Sequence, residues 1–206
     1  PFVALLVGAL TGSHVLKTMG PTLLLLLALL SLATVACTAM IYASLKPVPA
    51  WRHGLVPPVY LGFALLCGLL LMLLGERRAG GVGIAPLLVV AAGLAVLLVM
   101  LKGLYWRGID RRSLPVSKAS AMGLPEGREV SVFERPHTEA NYLTREMGFV
   151  LARKHSRRLR LIALVLFAGV PAGLGGLAML AGPSAASALL GLAAASALLG
   201  AFVERW

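Results

Sequence analysis

The side chains of this chain that could do chemistry sit in short clusters at the edges of long apolar runs. Trp51, Arg52 and His53 lie in a polar hairpin, with Tyr42 shortly before it. Tyr105 and Trp106 end one apolar run, and His155 leads into another. An imidazole exchanges protons near neutral pH, and indole, phenol and guanidinium groups donate hydrogen bonds. Such groups at membrane-interface depth, next to apolar walls, suit a quinone: its ring oxygens take one or two hydrogen bonds, its tail needs a greasy cleft, and a proton-exchanging group completes the chemistry. Spacing alone does not make these residues converge.

Other chemistries find less to work with. The four histidines, His14, His53, His137 and His155, all stand at edges of apolar runs, whereas haem b needs histidines projecting between helices. Haem b therefore stays open but is not favoured. Cys37 and Cys67 are each alone in an apolar run, so the chain carries no iron–sulfur motif, no evident disulfide and no expected metal site. Both cysteines read as small core residues. The central turns of the apolar runs hold no Asp, Glu, Lys, Arg or His, which argues against a pump or secondary transporter.

Composition explains why those edges matter. The 206-residue chain is 59% hydrophobic and 13% charged, against about 25% charged in soluble domains, so it reads as a membrane protein. The runs are continuously apolar and reach the roughly 20 residues that cross a hydrocarbon core, which predicts helices rather than a β-barrel. The spans are expected at about 21–45, 56–74, 85–105, 159–180 and 185–203, preceded by the end of an earlier helix at 2–17. Gly20-Pro21 should break the chain between the first two, and Pro171 should kink the fourth full span. The expected fold is an all-α polytopic transmembrane bundle of five full spans plus part of another. Pro1 opens inside an apolar run and Trp206 follows Glu204-Arg205 directly, so the chain reads as part of something longer.

Alternation of the spans puts the Lys46–His53 hairpin, the 102–160 stretch and the Glu204–Trp206 end on one side. That side holds 16 of the 19 Lys and Arg residues, leaving Lys17, Arg77 and Arg78 on the other. By the positive-inside rule it faces the cytoplasm, which places the chain in the cell inner membrane. Tyr42, Trp51, Tyr105, Trp106, Tyr142 and Trp206 gather there as an interfacial belt. The net charge of +11 is thus a topology signal rather than a nucleic-acid footprint.

The 106–158 insert is the only sizeable polar segment. Between 102 and 160, thirteen basic residues mix with six acids. Val130–Phe133 alternates as a strand or extended segment would. Thr138 reads as an N-cap with Glu139 in the first turn, starting an interfacial amphipathic helix that leads toward the fourth full span. The bland reading is a solvated loop against anionic headgroups. The mixed charge, with Phe133, Tyr142, Met147 and Phe149, favours a docking platform for a soluble partner.

Three segments carry a family resemblance. Thr38–Trp51 (Thr-Ala-Met-Ile-Tyr-Ala-Ser-Leu-Lys-Pro-Val-Pro-Ala-Trp), Tyr105-Trp106-Arg107, and Pro136–Phe149 running on through Ala152–His155 resemble the membrane-anchor subunits of dimethyl-sulfoxide-reductase-type molybdoenzymes. Glu204-Arg205-Trp206 resembles the end of that family's last helix. The resemblance implies the last five of eight helices, a non-catalytic anchor for a molybdopterin subunit and a four-cluster iron–sulfur subunit, and electron exchange with ubiquinone or menaquinone. It implies docking of the iron–sulfur subunit on Arg107, Arg111, Arg112, Tyr142, Arg145, Glu146, Arg153 and Lys154. A His-Leu-Gly segment of the family's early helices has no counterpart here. The cytoplasmic placement of the docking face resembles the sulfite-oxidising branch, sulfite to quinone, more than the quinol-oxidising dimethyl sulfoxide reductases. A cytochrome b, a small-molecule transporter and a stand-alone structural protein remain as other readings.

Overall fold

Leu-, Ala- and Val-rich runs have one way to bury a backbone in hydrocarbon, which is to satisfy every amide within a helix. The computed structural model describes residues 14–45, 50–78, 83–111, 118–125, 128–131, 133 and 154–205. Its helices are α1 (His14–Ser44), α2 (Val56–Arg78), α3 (Ile84–Asp110), the single turn α4 (Lys118–Ala121), α5 (Ser156–Leu180) and α6 (Pro183–Arg205). All but α4 are long and apolar enough to cross a membrane, and the chain is a multi-pass membrane protein. No strand occurs among the described residues: Val130 and Ser131 are irregular and Phe133 is a fully exposed bend. The expected amphipathic helix from Thr138 lies outside the described residues.

Two prolines behave differently from each other. The break expected at Gly20-Pro21 is absent, and α1 runs straight through Pro21. Two turns from the helix start, the missing N–H frees only the Lys17 carbonyl, which a membrane helix tolerates. Pro171 does distort its helix, through a π-turn over Val165–Gly169 in place of a simple bend. There Val170 N–H bonds five residues back, to the Val165 carbonyl. The next N–H in that register would be that of Pro171, which has none. Ser196 of α6 takes its place, its hydroxyl donating to the Leu166 carbonyl at 2.8 Å.

α2, α3, α5 and α6 pack in a ring, with α6 between α2 and α5, and α1 lies outside against α2. The core is a stripe from each ring helix: Val59, Phe63, Leu66, Leu70 and Leu73 on α2, Ala91, Ala95 and Leu98 on α3, Ala163 and Phe167 on α5, and Ala186, Leu190, Ala194 and Ala197 on α6. Phe63 and Phe167 meet edge to face, centroids 4.9 Å apart. Gly200 lets α6 touch α5 backbone to backbone, since a Cβ there would stand 2.6 Å from the Phe167 nitrogen. Cys67 joins the core as expected, whereas Cys37 is exposed, because α1 stays outside the ring. On α1, Ser31, Thr34 and Thr38 satisfy their hydroxyls by donating to carbonyls four residues back, each at 2.8 Å.

Candidate functional site

The C-terminal ends of α1, α3 and α6 meet the N-terminal ends of α2 and α5 at one end of the bundle. There they enclose a cavity of about 520 Å³ lined by Tyr42, Trp51, Tyr60, Lys102, Tyr105, Trp106, Arg160, Glu204 and Arg205, with Ala50, Val56 and Ile109. The hairpin, both ends of the long insert and the C-terminal end therefore share one end of the molecule, as the alternation of spans requires.

At the cavity's floor Lys102 of α3 pairs with Glu204 of α6. Their side chains are 2% and 6% exposed. Each is in register with the core stripe of its helix: Lys102 follows Ala91, Ala95 and Leu98, and Glu204 follows Ala193, Ala197 and Gly200, at three- and four-residue intervals. Such a pair is tolerated in a low-dielectric interior only while both partners are present. The Lys102 ammonium also lies 4.0 Å from the Tyr105 ring centroid and 5.0 Å from that of Trp106. Glu204 Oε1 faces Lys102, while its buried Oε2 has no hydrogen-bond partner and stands 3.3 Å from Arg205 Nε.

The walls are aromatic and cationic. Tyr42 stacks on Tyr60 with centroids 5.8 Å apart and meets Trp51 edge-on at 5.3 Å. The Arg205 guanidinium lies 3.3 Å above the Tyr60 ring. Arg160 reaches across from α5 to Asp110 of α3 with two hydrogen bonds, 2.6 and 2.9 Å, and lies over Trp106 at 5.3 Å. That fork pins the start of α5 to the end of α3.

Of the residues expected to bind a quinone, Tyr42, Trp51, Tyr105 and Trp106 come together as cavity walls. His53, Arg52 and His155 do not line it. His53 sits behind Tyr105, ring against ring at 5.2 Å, with Nδ1 accepting the Leu55 N–H at 3.2 Å. Its Nε2 fills the space beside Gly108, where a Cβ would stand 2.9 Å away. Tyr105 in turn donates its hydroxyl to the Ala50 carbonyl at 2.9 Å, tying the hairpin to α3. Arg52 is exposed on the hairpin, and His155 is the half-buried residue before α5, its carbonyl accepting the Leu159 N–H at 2.9 Å. Among the residues expected to dock a partner, Arg107, Arg111 and Lys154 are exposed at this same end, while Arg112, Tyr142, Arg145, Glu146 and Arg153 lie outside the described residues.

Sequence reasoning missed Lys102, Glu204, Tyr60, Arg160 and Arg205. The charged ones were legible only as topology charges. The signal that would have found the pair is a charge in phase with a stripe of small and apolar residues on its own helix.

Among the described residues no group of three or more His, Cys, Asp or Glu could hold a metal. No protein-family model, curated protein or solved structure matches this chain.

Proposed function

We propose that the chain is the quinone-interacting membrane anchor of an oxidoreductase complex, with the large cavity as its quinone pocket. The observation that carries this reading is the joining, at one end of a transmembrane bundle, of aromatic walls with a buried Lys102–Glu204 pair around about 520 Å³. Pockets of roughly 300–1,000 Å³ hold compact organic ligands. The lining suits a quinone ring: Tyr42, Trp51, Tyr105 and Trp106 give it aromatic walls, and Lys102, Arg160 and Arg205 give it a cationic surround for the ring oxygens. Bound quinone accepts or returns two electrons and two protons. The chain's own part is to orient the ring, keep bulk water from it and supply polar groups.

Electrons would come from an iron–sulfur subunit docked on Arg107, Arg111 and Lys154 and on the insert, backed by a molybdopterin subunit that oxidises sulfite. The support for those partners is the likeness of the hairpin and insert segments to the anchor subunits of molybdoenzymes. The basic end would face the cytoplasm, on the weight of its positive charge.

The test is purification of the tagged full chain from its native membrane in mild detergent, followed by metal analysis and titration with a short-tailed ubiquinone analogue. Iron and molybdenum should co-purify, and the analogue should quench the fluorescence of Trp51 and Trp106. Neither metal and no quenching would sink the proposal.

A further inference from the structure

A second cavity of about 150 Å³ lies beside the first, lined by Trp106, Ser156, Leu159, Arg160, Ala163, Val203 and Glu204. Trp106, Arg160 and Glu204 belong to both linings and so form the partition. Ser156, the first residue of α5, is exposed, so the small cavity reaches the polar end of the bundle. It has room for several waters at roughly 30 Å³ each. Glu204 Oε2, buried and lacking a hydrogen-bond partner, is in this partition. Arg205 Nε stands 3.3 Å from it without completing a hydrogen bond, and a buried polar atom without one calls for a reason such as water or a catalytic role.

We propose that Glu204 is the proton-exchanging group of the large cavity, with the small cavity as the water-filled supply behind it. The inference rests on the quinone reading. Reduction of one quinone takes two electrons from the iron–sulfur partner and two protons. Glu204 Oε2 gives one proton to a ring oxygen as an O–H bond forms there, then regains a proton from water in the small cavity. The second proton reaches the other ring oxygen from water at the mouth beside Trp51, which is 40% exposed. Between transfers the Lys102 ammonium, held on Oε1, balances the carboxylate. Arg205, its Nε 3.3 Å from Oε2, keeps that carboxylate oriented, while Arg160 is committed to Asp110. The other polar group packed close by, the Tyr105 hydroxyl, is committed to the Ala50 carbonyl.

The experiment compares quinone turnover of the complex, purified with its partners, in the parent and in Glu204→Gln, Glu204→Asp and Ser156→Leu. The probe is a short-tailed ubiquinone analogue, and an artificial one-electron dye is the control acceptor. Glu204→Gln should lower quinone turnover about a hundred-fold, with dye reduction by the soluble subunits intact. Added formate, a small weak acid, should restore part of the rate, and Glu204→Asp should keep more activity than the amide. Ser156→Leu, which plugs the small cavity without touching the ion pair, should slow quinone turnover and raise the solvent deuterium isotope effect. Unchanged quinone turnover in Glu204→Gln overturns the inference while leaving the quinone reading standing. If that variant fails to assemble, unchanged turnover and isotope effect in Ser156→Leu overturn it instead. A parent protein with neither quenching nor quinone turnover places the fault in the quinone reading, and the inference falls with it.

Discussion

α1 and α6 are both apolar helices of spanning length, with 25 and 23 residues in their candidate spans, yet only 6% of the most apolar stretch of α1 is buried against 39% for α6. Leu dominates α1, with Leu24, Leu25, Leu26, Leu29 and Leu30 all exposed. Ala, Gly and Ser dominate the buried face of α6. Between lipid tails, Leu gains nothing by leaving one greasy neighbour for another. Small residues let backbones approach, and polar residues reward contact. Burial in this bundle therefore follows side-chain size and polarity rather than apolar length: α1, at a mean hydropathy of 2.5, is the least buried span, while α6, at 2.0, is packed inside.

Substitutions along α6 and α1 can break that contrast. The largest effect is expected from Glu204→Ala, which leaves the Lys102 ammonium buried without its partner and should cost about 3–5 kcal/mol in detergent unfolding followed by circular dichroism. Replacing both partners, Lys102→Met with Glu204→Leu, should recover most of that loss. Gly200→Leu should follow at about 1–3 kcal/mol, since its side chain must push the Phe167 backbone away. Ser196→Ala should cost about 1 kcal/mol by stripping the Leu166 carbonyl of its donor. Asp110→Asn, in a pair whose side chains are 55% and 29% exposed, should cost only about 0.5 kcal/mol. Leu29→Ala on α1 should change stability by less than about 0.5 kcal/mol. If Leu29→Ala proved as costly as Gly200→Leu, α1 would have to be packed against something that covers its outer face.

Much of the frame was readable from residue order. The apolar runs announced their spans, and the even count of crossings placed the hairpin, the insert and the C-terminal end together. Trp51, Tyr42, Tyr105 and Trp106 were legible because interfacial aromatics stand out against Leu and Ala. His53, picked out because an imidazole near an apolar edge looks like a proton carrier, stands one layer back from the cavity with its ring against Tyr105. Lys102 and Glu204 were under-read for the opposite reason. Each lies near a helix end, where a charge normally points to water, and their pairing joins positions 102 residues apart. Only the packing of α3 and α6, which no local pattern specifies, turns both inward. Cys37 was misplaced because a run of apolar residues does not say whether lipid or protein surrounds it.

The π-turn ahead of Pro171 sets more than the local hydrogen bonding of α5. A π-turn adds about one residue to the winding, and each residue of an α-helix advances the side-chain direction by roughly 100°. The stretch Ser156–Leu164 is thus turned by that angle relative to Val170–Leu180. Arg160 and Ala163 face the cavities because of this extra residue, with Ser196 of α6 holding the turn in place. Removing one residue from Val165–Gly169 would leave the composition of α5 nearly unchanged while swinging Arg160 away from Asp110 and opening the partition between the two cavities. The wall of the site is therefore dialled by a helical phase, set about two turns away from it.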